Sequence, residues 1–124
     1  MAAHPTSLVP MAHVADVQRT IEFYKLLEFE LHNKLEYGGE LKWAYLARGM
    51  AQIMFAKSSG PIDSEQQAVL FYLYASKVVP YREQLMAKGI KVSELEYPPY
   101  ATEGEFRVFD PDGYVLLVGA ASQR

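Results

Sequence analysis

The stretch EFRVFDPDGYVLLVG, Glu105 to Gly119, decides the fold, because it places an Asp-Pro-Asp-Gly turn between two apolar runs. Its two acids invite a carboxylate cation site. A calcium loop of the EF-hand kind would carry a further acid and then a glycine where Tyr114 and Val115 stand, so that reading fails. Turn chemistry accounts for all four residues: Asp accepts local backbone N–H groups, Pro fixes φ at the second position, and Gly takes a left-handed conformation. The stretch is therefore a hairpin of two strands.

Upstream, GIKVSEL from Gly89 is a further strand candidate, preceded by the helix KVVPYREQLMAK with Pro80 in its first turn. Ser76 is the expected cap of that helix, Gly89 its C′ residue, and AVLFYLYA from Ala68 to Ala75 the strand before it. The same order stands earlier in the chain. Leu8 to Val14 reads as a strand, Asp16 as the cap of the helix VQRTIEFYKLL, and EFELHNKLEY, ELKWAYLA and MAQIMFAK as three strands separated by Gly38-Gly39 and Arg48-Gly49. Each half is thus β-α-β-β-β, an α+β duplication. The modules span about residues 7–57 and 67–121, joined by the Gly-, Pro- and Ser-containing connector 58–66, within one domain of 124 residues.

Composition limits what such a domain does. Twelve Lys and Arg against fifteen Asp and Glu leave a net charge of −3 and no basic stripe for a phosphate backbone, which argues against nucleic acid. With no cysteine, disulfides, thiolate zinc sites and a Cys nucleophile are excluded. No run approaches the ~18 apolar residues of a membrane span, and MAAHPTSLVP lacks the pattern of a secretory signal; a cytoplasmic protein without membrane contact is the expectation.

The segments HVADVQRTIEFY and FRVFDPDGYVLLV, in this order and spacing, resemble the vicinal oxygen chelate superfamily of glyoxalases, ring-cleaving dioxygenases and bleomycin-resistance proteins. That resemblance covers nearly the whole chain. It implies two tandem βαβββ modules, each curling its sheet around a groove, with pairing of modules within a chain or across a homodimer. In the family's enzymes a metal is held by residues of the first and last strands of each module. Counting from the helix caps and from Gly113, those positions fall on Val9, on Gln52 or Met54, on Val69, and on Leu117 where the enzymes usually carry Glu. Aliphatic side chains have no donor atom, and one glutamine does not compensate the dehydration of a divalent ion. No metal cofactor is therefore expected, and the resemblance narrows to the metal-free bleomycin-resistance-like branch.

The candidate ligand-binding residues follow. His13 shares strand parity with Val9 and Met11, where it is placed to orient a ligand or act as a base; a strand-end histidine bonded to backbone is the structural alternative. Trp43 and Tyr45 share one strand face, with Gln52 and Met54 on the next strand. Phe71 and Leu73, which share parity with Val69, read better as core. The loop SELEYPPYATEGEF interleaves Glu103 and Glu105 with Tyr97 and Tyr100, which suits a cationic planar ligand, although a solvated acidic loop has the same composition.

The expectation is a homodimeric, non-catalytic small-molecule binder that sequesters an aromatic or cationic ligand. The alternative is a metal-dependent lyase, isomerase or dioxygenase with a displaced site around His13, Gln52 and Glu103 or Glu105. A third possibility is an adaptor whose groove is filled by its own side chains.

Overall fold

A computed structural model describes residues 3–123. The chain divides into two compact units, residues 1–61 and 62–124. In the first unit, β1 (Met11–Val14), α1 (Val17–Leu26), β2 (Glu30–Tyr37), β3 (Glu40–Arg48) and β4 (Ala51–Lys57) form a sheet of order β1-β4-β3-β2 with one helix. β1 runs parallel to β4, whereas β2, β3 and β4 are joined by antiparallel pairing. The first strand starts at Met11, three residues later than the sequence suggests. Pro10 has no N–H to donate, and only its carbonyl joins the ladder, accepting from the Met54 N–H at 2.9 Å.

Asp16 caps α1 as expected: its Oδ1 accepts from the Arg19 N–H at 3.0 Å. Val17, Thr20, Ile21 and Tyr24 form the buried stripe of the helix. They pack on the sheet face made by Ala12, Val14, Ala44, Leu46, Ile53 and Phe55, and the Tyr24 and Phe55 rings lie 4.7 Å apart at the centre. The helix ends in a Schellman motif, with Glu28 N–H bonded to the Lys25 carbonyl and Phe29 N–H to the Tyr24 carbonyl. Glu28 itself has φ +80, a conformation that usually belongs to glycine.

The second unit repeats this plan with β5 (Leu70–Ala75), α2 (Val78–Ala87), β6 (Phe106–Phe109) and β7 (Val115–Ala120) in the order β5-β7-β6. β5 is parallel to β7, and β6 antiparallel to it. Gly89 lies at C′ with φ +82 and closes the same Schellman motif as Glu28 does. Here two sequence expectations need correction. The cap of α2 is Lys77, not Ser76; Lys77 has extended dihedrals and makes no side-chain cap bond, so the helix starts one residue later and without that support. GIKVSEL is not a continuous strand. It touches β6 through a single bridge, Val92 to Val108, and the residue after the segment, Glu96, bridges Glu105 just before β6. Between them the Ser93 hydroxyl, not a backbone carbonyl, accepts the Arg107 N–H at 2.7 Å, which interrupts the ladder.

The Asp110–Gly113 turn is built by its own side chain. Asp110 Oδ1 accepts the N–H groups of Asp112 and Tyr114, both at 2.9 Å. Gly113 has φ +86, and a β-carbon there would stand 2.5 Å from the Ser64 carbonyl oxygen, so both conformation and space require glycine.

Candidate functional site

A strand shows alternate side chains to alternate faces, so each sheet covered by a helix on one side has a second, open face. In the first unit the register settles which residues occupy it. Trp43 is opposite Ala56, Tyr45 opposite Met54 and Ala47 opposite Gln52, while Met11 is opposite Met54 and His13 opposite Ala56. His13, Trp43, Tyr45, Gln52 and Met54 therefore share the face turned away from α1. They are also linked. Trp43 Nε1–H donates to Met54 Sδ at 3.3 Å, Tyr45 O–H donates to Gln52 Oε1 at 2.8 Å, and the two rings meet edge-on at 6.4 Å. His32 joins them, its ring 6.4 Å from that of Tyr45. The ladder is irregular here, with Leu31 opposite Leu46 and Asn33 opposite Tyr45.

In the second unit the open face carries Leu70, Tyr72 and Tyr74 from β5, Leu117 and Gly119 from β7, and Arg107 from β6. Phe71 and Leu73 lie on the other, buried face with Leu116, Val118, Phe106 and Val108. Phe71 and Leu73 are on the core side, as read from the sequence, whereas the groove position assigned to Val69 is one residue out of register. The error comes from the cap: counting back from Lys77 in place of Ser76 reaches Leu70, which shares its face with Leu117. A one-residue shift exchanges the two faces of a strand. Tyr72 and Tyr74 were missed for this reason, although they stack with centroids 4.7 Å apart.

The loop residues Tyr97, Tyr100 and Glu105 do come together. Glu105 is 4% exposed, and its two oxygens accept from Tyr72 O–H and Tyr100 O–H, each at 2.8 Å. Glu96 pairs with Arg107 at 3.2 Å. Glu96, Tyr97, Pro98, Tyr100, Glu105 and Arg107 line a depression of about 450 Å³. Burial of its hydroxyl end, and then the bond to Glu105, push the Tyr72 phenol up to about 12. Tyr100 is also raised, first by its bond to Glu105. Glu103 is not part of the cluster; it accepts from Ser122 Oγ.

The positions at which the family's enzymes hold a metal can now be compared across the two sheets. β1 and β4 match β5 and β7 by register, so Met11 corresponds to Tyr72 and Met54 to Leu117. The four positions are then Val9, Met54, Leu70 and Leu117, which offer no nitrogen or oxygen donor. Gln52, the one donor considered above, has its oxygen engaged by Tyr45. These residues do not fit a divalent ion. Among the described residues no three His, Asp or Glu side chains are grouped to hold one elsewhere.

Residues 8–118 match the model of the Glyoxalase/Bleomycin resistance protein/Dioxygenase superfamily, and the chain belongs to that family. Among solved structures it is similar to a bleomycin-binding protein complexed with bleomycin, with TM-score 0.75 and 19% identity over 94% of this chain and 98% of that one. A bleomycin resistance determinant encoded on the transposon Tn5 gives TM-score 0.76 and 19% identity over the same shares. TnmS3, an antibiotic binding protein from Streptomyces sp. CB03234, gives 0.68 and 18% over 95% and 98%. At these identities the likeness establishes the fold of tandem βαβββ modules. No curated protein sequence matches the chain. Among the described residues no helix is long and apolar enough to cross a membrane.

Proposed function

We propose that the chain is a non-catalytic small-molecule binding protein that works without a metal and sequesters an aromatic or cationic ligand in a groove completed by a second copy of the chain. One observation carries this reading: the open faces of the two sheets display aromatic side chains with polar tips, Trp43 and Tyr45 on one, Tyr72 and Tyr74 on the other. Such faces suit a planar ligand, which gains from ring stacking and apolar burial while a few polar groups fix its orientation. The aliphatic side chains at the family's metal positions support the metal-free branch. Antibiotic-binding proteins of the same fold make bleomycin the first ligand to try.

The test is a thermal melt of chelator-treated protein with and without bleomycin, alongside elemental analysis. Binding to the folded state raises Tm with ligand concentration. We expect that rise in protein containing well under one equivalent of metal per chain. A tightly held equivalent of zinc, nickel, iron or manganese would contradict the reading, as would a Tm indifferent to bleomycin and to other planar cations.

A further inference from the structure

Glu105 is a buried carboxylate whose two oxygens each receive a phenol hydrogen, from Tyr72 and from Tyr100. A phenol has one hydrogen to give. With that hydrogen directed at Glu105, each phenol oxygen keeps only lone pairs for other partners, and Tyr100, which lines the depression beside the cluster, presents an acceptor to whatever enters it. Tyr97 lines the depression and adds a ring face; Tyr72 joins the cluster through Glu105 and stacks on Tyr74. Of the charged groups there, Glu96 and Arg107 are paired with each other, so Glu96, Glu105 and Arg107 together carry one net negative charge. An incoming anion meets repulsion, and a neutral hydroxyl gains a hydrogen bond only. A cation gains hydrogen bonds, charge attraction and ring-face attraction together.

Gly119 explains how the cluster is held. Glycine weakens the interior of a strand, and nothing about the Gly119 backbone demands it. A β-carbon there would stand 2.9 Å from the Tyr72 hydroxyl oxygen and 3.0 Å from its Cε1. The missing side chain lets the Tyr72 ring lie across β7 and reach Glu105.

Resting on the ligand-binding reading above, we propose that Tyr72, Tyr100 and Glu105 form a subsite for a protonated amine or guanidinium group of the ligand, with Gly119 a positioning residue for Tyr72. The experiment compares two probes with the same ring system, naphthylethylamine and naphthylethanol, by isothermal titration at neutral pH. The amine binds the native chain about tenfold more tightly than the alcohol. Glu105→Gln and Tyr100→Phe each bring the two probes close to parity by weakening the amine more than the alcohol, and Gly119→Ala lowers the amine preference through Tyr72. Tyr100 is largely exposed, so Tyr100→Phe carries the test if the Glu105 variant fails to fold. Equal binding of both probes to the native chain overturns the subsite alone, as does a preference that survives both substitutions. Binding of neither probe overturns the ligand-binding reading as well.

Discussion

Trp43 and Glu105 hold corresponding positions in the two units: Trp43 is opposite Ala56 across β3 and β4, and Glu105, the residue before β6, falls in line with Gly119 when the β6–β7 register is continued by one step. On the first open face an indole leans on a thioether. On the second a carboxylate is clamped by two phenols. The backbone plan is shared, so the difference lies in what the plan displays. The apolar faces under α1 and α2 tolerate only aliphatic and aromatic residues that fill space, whereas the open faces are free to diverge in chemistry.

The supports of the two units differ as well, and substitutions exploit this. The largest effect is expected at the matching hairpins. Gly113→Ala puts a β-carbon into the Ser64 backbone and should cost at least about 3 kcal/mol or prevent folding, whereas Gly49→Ala, in open space at φ +58, should cost only about 1 kcal/mol. Urea denaturation of the two variants checks the contrast; equal losses would break it.

Next come the helix caps. Asp16→Ala removes a cap bond and should lower stability by about 1 kcal/mol, while Lys77→Ala, where no cap bond exists, should stay within about 0.5 kcal/mol. Similar midpoint shifts for both would show that the caps do not distinguish the units.

A smaller effect of opposite sign is expected at the helix C-termini. Glu28→Gly relieves a left-handed conformation already assigned to glycine at Gly89, and should raise the urea midpoint, a gain of about 0.5 kcal/mol. A loss would mean that the Glu28 side chain contributes more than its backbone strain.

The smallest effect is a titration. Because the folded-state pKa of Tyr72 lies above the ordinary 10.0, the folded chain keeps a proton that the unfolded chain gives up. That contribution is complete below pH 10 and is lost as pH rises towards about 12. Ultraviolet absorbance should record Tyr72 ionising late in the native protein, a step lost in Tyr72→Phe and moved earlier in Glu105→Gln. A native titration unchanged by either substitution would separate Tyr72 from Glu105.

What could be read from the sequence was local. Asp16 as a cap, Gly89 as a C′ residue and Asp110–Gly113 as a turn each follow from a few adjacent residues, and the duplicated order of elements follows from their sum. What depends on register was lost. Ser76 is the better cap by residue type, yet Lys77 takes the position without a cap bond, and counting from Ser76 put Val69 in the groove in place of Leu70 and passed over Tyr72 and Tyr74. Tyr97, Tyr100 and Glu105 were recognisable as a composition, but the partner that organises them, Tyr72, comes from a distant strand. Glu103, from the same loop, is directed to Ser122 instead.

Trp43 offers the most direct test of metal-independent ligand binding, because it is the chain's single tryptophan and stands on the open face of the first sheet. Its emission should change saturably when bleomycin is titrated into chelator-treated protein, and adding divalent ions to the protein beforehand should leave the midpoint unmoved. Emission that responds only after a metal is supplied, or never responds, would contradict it.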